Sequence, residues 1–250
     1  MKKLGIYAHQ RSGSSILYGV MSDSSMTDTR DRCGIPLGEC FTPSDERTLI
    51  ETEGKLHLVE HGQLLEEEVQ DRDTRLKFME QHNHWDYFIK VFGIDLRHDG
   101  IRKYVRENYE LIAIERRNSL SAVLSGIVAI QHWFFNVDSA IHKPIPNYSA
   151  FVARYQNFSY MTDALISYYK YKDELDIRKT YIYEDIVNMG RRDILSELNL
   201  GDTVIPSLPL RKLLTFDQKV DLIQNYDEVL FWYKTDLEPF LPEDRRGGYS

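Results

Sequence analysis

Lys3-Leu-Gly-Ile-Tyr-Ala-His-Gln-Arg-Ser-Gly-Ser-Ser-Ile-Leu-Tyr-Gly-Val20 carries the pattern from which the fold is read. Leu4 to Ala8 is a short apolar run. His9 to Ser15 is polar and contains Gly13, and Ile16, Leu17 and Val20 then recur at helical spacing. The segment reads strand, loop, helix. Working outward, Tyr87 to Phe92 (YFIKVF) and Glu110 to Ile114 (ELIAI) are buried-strand candidates followed by helical periodicity, and Thr180 to Tyr183 is a fourth strand. Helices are expected over 97–107, 119–135, 149–173, 185–198 and 216–235. Strands alternating with helices predict an α/β fold with a central parallel sheet flanked by helices. Residues 23–84 break the rhythm, being charged and Gly-punctuated with no clear strand; they are expected to form an insertion or cap over the sheet, within a single domain spanning 1–250.

The chain has 250 residues, 42% of them hydrophobic, which is enough for a sizeable core. A formal net charge of -8 argues against nucleic-acid partners, whose backbone attracts clustered Lys and Arg. Cys33 and Cys40 are too few for a disulfide framework or a cysteine zinc site. The N-terminal Met1-Lys2-Lys3 is followed by polar Gln10 and Arg11 before an apolar stretch builds up, so it does not read as a signal peptide. No run approaches the ~20 apolar residues of a membrane span. The expectation is a cytoplasmic protein.

The loop His9 to Ser15 lies where backbone N–H groups and the positive end of a helix both favour an anion. Gly13 permits close backbone approach, Ser12, Ser14 and Ser15 offer hydroxyl donors, and Arg11 brings a permanent charge. The G-x-x-x-x-G-K-[ST] loop of nucleotide triphosphatases is missing, which disfavours a magnesium-dependent kinase. A second polar segment, Glu115-Arg-Arg-Asn-Ser-Leu-Ser-Ala-Val-Leu-Ser125, follows the third strand. Ser119 can cap a helix carrying Ser121 and Ser125 on one face, and Arg117 falls at the carboxyl edge of the sheet, where open parallel sheets bind ligands.

At these two segments, and in their order, the chain resembles the sulfotransferases that use 3'-phosphoadenosine 5'-phosphosulfate (PAPS), especially their bacterial and phage-type members. Arg11-Ser12-Gly13-Ser14 is similar to the family's 5'-phosphosulfate loop, and Arg117 with Ser125 to its 3'-phosphate motif. Tyr181-Ile-Tyr-Glu-Asp-Ile186 and Asn225-Tyr-Asp-Glu228 extend the likeness. The chain departs from the pattern where Pro and Asp commonly follow Arg-Asn, here Ser119 and Ser121, and it lacks a recognisable C-terminal Gly-rich loop. The resemblance implies a P-loop NTPase-like (sulfotransferase) fold and transfer of a sulfuryl group from PAPS to a small-molecule or glycan acceptor. The product nucleotide would be 3'-phosphoadenosine 5'-phosphate (PAP), and no metal would be required. It further implies that Ser12, Gly13, Ser14 and Ser15 hold the 5'-phosphosulfate and that Arg11 stabilises the bridging oxygen. Arg117 and Ser125 would bind the 3'-phosphate and Lys90 would lie near the sulfuryl group, while without the Gly-rich loop the segment that covers the donor stays open, Arg211 and Lys212 being the basic residues to test there. Glu39, in Leu37-Gly-Glu-Cys-Phe41, is the candidate general base, with His57 or His61 as substitutes.

Two other readings stand beside this one. His57-Leu-Val-Glu60-His61 fits the H-x-x-E-H pattern of inverted zinc proteases, although Gly54 and Gly62 bracket it closely. A nucleotide-binding protein that keeps the fold without transfer activity is the other. Trp133, Phe134 and Phe135 read as core or cap packing.

Overall fold

The computed structural model describes residues 2–22, 34–43, 47–60, 70–132, 148–187, 189, 191–197 and 214–246. Five parallel strands form the central sheet: β1 (Lys3–Ala8), β2 (Ile35–Gly38), β5 (Tyr87–Phe92), β6 (Tyr109–Glu115) and β7 (Ile177–Ile182), in the order β2-β5-β1-β6-β7. A separate antiparallel hairpin pairs β3 (Arg47–Thr52) with β4 (Lys55–Glu60). The helices are α1 (Ser14–Ser22), α2 (Arg72–Gln81), α3 (Asp99–Asn108), α4 (Ser119–His132), α5 (Tyr155–Lys172), the single turn α6 (Tyr183–Ile186), α7 (Arg191–Glu197), α8 (Phe216–Leu222) and α9 (Tyr226–Trp232). None of the described helices is long and apolar enough to cross a membrane.

Both faces of the sheet are covered, which is why β5 and β6 are almost continuously apolar. Leu4, Ile6 and Ala8 of β1 join Phe88, Phe92, Ile112 and Ile114 in a core beneath α1 and α7. Tyr7 and Gly5's neighbours on the opposite face, Ile89, Val91 and Leu111, pack with Leu76 and Met79 of α2, Ile101 and Val105 of α3, and Tyr168 and Tyr171 of α5. Gly93, just past β5, lets α5 approach, since a Cβ there would overlap the backbone of Tyr168. A third cluster joins α4, α5 and the C-terminal helices.

Residues 23–84 are not simply an irregular cap: they supply the edge strand β2, the β3–β4 hairpin and α2. The zinc reading needs His57, Glu60 and His61 on one helix, whereas His57 and Glu60 lie three positions apart on β4 and so on opposite faces of a strand. His61 falls outside the described residues. The long C-terminal helix expected over 216–235 is divided at Ile223 to Asn225, where Phe151 pairs with Ile223 and the Asn225 side chain bonds both the N–H and the carbonyl of Ala153. The expected 149–173 helix starts only at Tyr155, and 185–198 is split between α6 and α7.

The connection from β1 runs to one side of the sheet, ending at β2, while that from β5 crosses β1 to reach β6 on the other. The carboxyl end of β1 is therefore a topological switch point, where ligands of open α/β sheets bind.

Candidate active site

The loop after β1 opens with His9, which is buried; its Nδ1 lies 2.9 Å from the Gln10 carbonyl. Burial pushes its pKa down to about 4, with Arg116 adding to the effect and the Gln10 carbonyl and Glu115 opposing it. Arg11 is a non-glycine residue with φ 62°, a left-handed conformation that costs free energy unless the surroundings fix it. Arg116 fixes it, donating from Nε to the Arg11 carbonyl at 3.1 Å. Burial lowers the pKa of the Arg11 guanidinium, and the charge of Arg116 lowers it further. Gly13 has φ 91° and lies under the ring of Tyr183, where any Cβ would overlap the ring. The Arg116 guanidinium stacks on the same ring, 3.6 Å from its centroid.

Tyr183 belongs to the Tyr-Glu-Asp turn α6 at the end of β7, and that turn meets the segment after β6. Glu184 accepts a hydrogen bond from the Arg117 amide at 2.9 Å and lies 3.7 Å from Arg116, and Asp185 pairs with Arg117 at 2.8 Å. Of the two adjacent arginines, Arg116 is the buried one and Arg117 is exposed, 63% at its side chain. Sequence reasoning named Arg117 and missed Arg116.

Glu39 and Lys90 come together from 51 positions apart. Lys90 points from β5 toward α1, 94% buried, and forms an ion pair with Glu39. Its Nζ is also 3.5 Å from the Ser15 hydroxyl, and it lies over the rings of Phe92 and Tyr18. Glu39 further pairs with Arg47 of β3 at 3.2 Å. Beneath this turn the fully buried Arg75 of α2 donates to the carbonyls of Gln70, Cys40 and Arg47 at 3.1, 3.1 and 2.6 Å, holding the Glu39 turn against β3. A buried Arg satisfied by three carbonyls has no signature in sequence.

On α4, Ser119, Ser121 and Ser125 are all buried. Lys219 of α8, itself 96% buried, donates to the Ser121 hydroxyl at 3.0 Å and approaches its carbonyl at 3.4 Å. It is a cation at the second segment that sequence reasoning did not name, whereas Arg211 and Lys212 lie outside the described residues. Among the described residues, the buried polar atoms without a hydrogen-bond partner include two of the first loop, His9 Nε2 and Ser12 Oγ. Buried polar groups are almost always satisfied, so such atoms mark places where a ligand's oxygens or protons can enter. No group of three or more potential metal-ligating side chains occurs among the described residues.

The carboxyl ends of four strands thus contribute, with Glu39 after β2, the Arg11 to Ser15 loop after β1, Arg116 and Arg117 after β6, and Tyr183 to Asp185 after β7, and Lys90 reaches Glu39 from within β5. Compared with protein-family models, with curated proteins and with solved structures, the chain matches none.

Proposed function

We propose that the chain is a PAPS-dependent sulfotransferase acting on a hydroxyl or amine of an acceptor. The observation that carries this reading is the junction of Lys90, Ser15 and Glu39: a buried cation touches the anion-binding loop on one side and a carboxylate on the other. Sulfuryl transfer needs an in-line nucleophile, charge stabilisation on the leaving phosphate and a proton acceptor, with little covalent work by the protein.

The amides at the start of α1 and the hydroxyls of Ser12, Ser14 and Ser15 would hold the 5'-phosphosulfate, with Gly13 giving the close approach. The acceptor oxygen attacks sulfur, the bond from sulfur to the bridging oxygen breaks, and the electron pair leaves on PAP beside Arg11 and Lys90. Glu39 takes the proton of the acceptor hydroxyl. Lys90 is then shared between the negative charge of the transferring group and Glu39, which frees the carboxylate as the donor binds. Arg117 and Ser125 would bind the 3'-phosphate, and Lys219, which donates to the Ser121 hydroxyl on the same helix as Ser125, would add a further cation there.

Calorimetric titration with PAP, beside an ATP control, tests the donor site without knowledge of the acceptor. Micromolar binding of PAP is expected, absent with ATP and weakened at least tenfold by Arg117→Ala. Failure of the folded protein to bind PAP would overturn the reading. A second reading, a nucleotide-binding protein without transfer activity, is favoured by the double pairing of Glu39 with Lys90 and Arg47, which holds the base in salt bridges. PAP binding without PAPS turnover across an acceptor screen, unchanged by Glu39→Gln, would select it.

A further inference from the structure

The sheet's carboxyl edge carries a second recess on the face covered by α2, α3 and α5. It is an open cleft of about 390 Å³, lined by Arg72, Ile94, Arg97 and His98. Arg72 is the first residue of α2, Ile94 and Arg97 belong to the turn after β5, and His98 caps α3. Two ten-residue helices therefore begin at the cleft, and two guanidinium groups line it while no carboxylate does.

The three polar lining side chains are each paired with a carboxylate. Arg97 is tied to α5 through Ser167 Oγ at 2.8 Å and the Asp163 carbonyl at 3.2 Å, with the Asp163 carboxylate at 3.5 Å. Arg72 reaches Asp95 at 3.3 Å, a buried carboxylate that also accepts from the Thr42 hydroxyl and the Phe92 amide, and its Nε is buried without a hydrogen-bond partner among the described residues. His98 accepts the Ile101 amide on Nδ1, so its ring proton sits on Nε2 and is donated to Asp73 at 3.0 Å. The recess is thus lined by two fixed planar cations, an apolar wall from Ile94 and the His98 ring, and the two guanidinium groups are donors suited to the fork of a carboxylate, sulfate or phosphate.

We propose that this cleft is a subsite for an oxyanion. Resting on the transfer reading, we assign it to an acceptor that itself carries a carboxylate, sulfate or phosphate group. The link to the reacting end is short: Thr42 bonds Asp95 through its hydroxyl and the Glu39 carbonyl through its amide, so the turn that presents Glu39 is joined through Asp95 to Arg72 of the cleft.

Nuclear magnetic resonance of the full chain, titrated with sodium phosphate against sodium chloride at equal ionic strength, tests the site. The expected result is a saturable shift of the Ile101 amide and of the Arg72 and Arg97 Nε–H signals with phosphate alone, and at least a tenfold loss of affinity at these signals in Arg97→Gln, with Arg97→Lys intermediate. Unmoved signals, equal shifts with chloride, or an unchanged response in Arg97→Gln would overturn the oxyanion site. PAP titrated into the same samples separates the two ideas. PAP binding that survives in Arg97→Gln supports a cleft distinct from the donor site, whereas a phosphate response without any PAP binding overturns the acceptor assignment and the transfer reading together.

Discussion

Gly13 is confined from two directions, by its own left-handed backbone and by the Tyr183 ring that rests on it. Gly13→Ala brings about 1–2 kcal/mol of left-handed strain and roughly 1–3 kcal/mol of overlap. A lower urea midpoint and at least tenfold weaker PAP binding are expected, and adding Tyr183→Ala should restore part of the stability, a coupling that a double-mutant cycle reads directly. If Gly13→Ala leaves both quantities unchanged, the packing of Tyr183 on the loop is not what shapes it. The loop itself was legible in sequence, because an apolar run, a glycine and a helical period stand in unbroken succession. The choice between Arg116 and Arg117 was not. Two like residues beyond a strand end turn inward or outward according to backbone dihedrals that composition does not encode, and only the Tyr183 ring and the Arg11 carbonyl show that Arg116 is the inner one.

At the scale of elements, β1, β5 and β6 follow from their apolar runs and β7 from the β-branched and aromatic residues Thr180 to Ile182, while β2, β3 and β4 escaped notice for identifiable reasons. β2 has four residues and contains Pro36, which an edge strand tolerates and which otherwise argues against a strand. The β3–β4 turn is Glu53-Gly54, both at positive φ as a tight hairpin demands, but without the Asn-Gly or Asp-Gly that usually announces it. Glu39 was legible in sequence, but its partner Arg47, carried on β3, was hidden with these elements. Arg75 is the residue that joins them to α2. Arg75→Met leaves three carbonyls without their donor and is expected to cost about 3–5 kcal/mol in urea unfolding, with Arg75→Lys recovering only part because one ammonium cannot span the same fork. A change below about 0.5 kcal/mol would show that solvent replaces the guanidinium at no cost.

Over the whole molecule, two buried groups make stability fall with acid. His9 has a native pKa of about 4, below the ordinary 6.5, so the unfolded chain binds the proton first and stability declines as pH falls from 6.5 toward 4, by roughly 3 kcal/mol at most. Glu115 is held below the ordinary 4.5: burial raises its pKa, but the hydrogen bonds and charges of Lys172 and Arg245 outweigh that. Its contribution is present above 4.5 and is lost as pH falls through the lower native value. Urea midpoints measured between pH 7 and pH 4 should therefore drop continuously, and His9→Gln should flatten the upper part of that slope while leaving the lower part; an unchanged upper slope would mean that His9 is protonated in the folded protein.

The grip on Glu115 also sets an order in time. Lys172 and Tyr168 arrive on α5 some 57 and 53 residues after the carboxylate, but Arg245 arrives 130 residues after it. As the chain emerges from the ribosome, the sheet can gather all five strands while the buried carboxylate at the end of β6 still lacks its second cation. The grip on Glu115, at the edge that carries the site, is thus completed only by a residue 130 positions downstream.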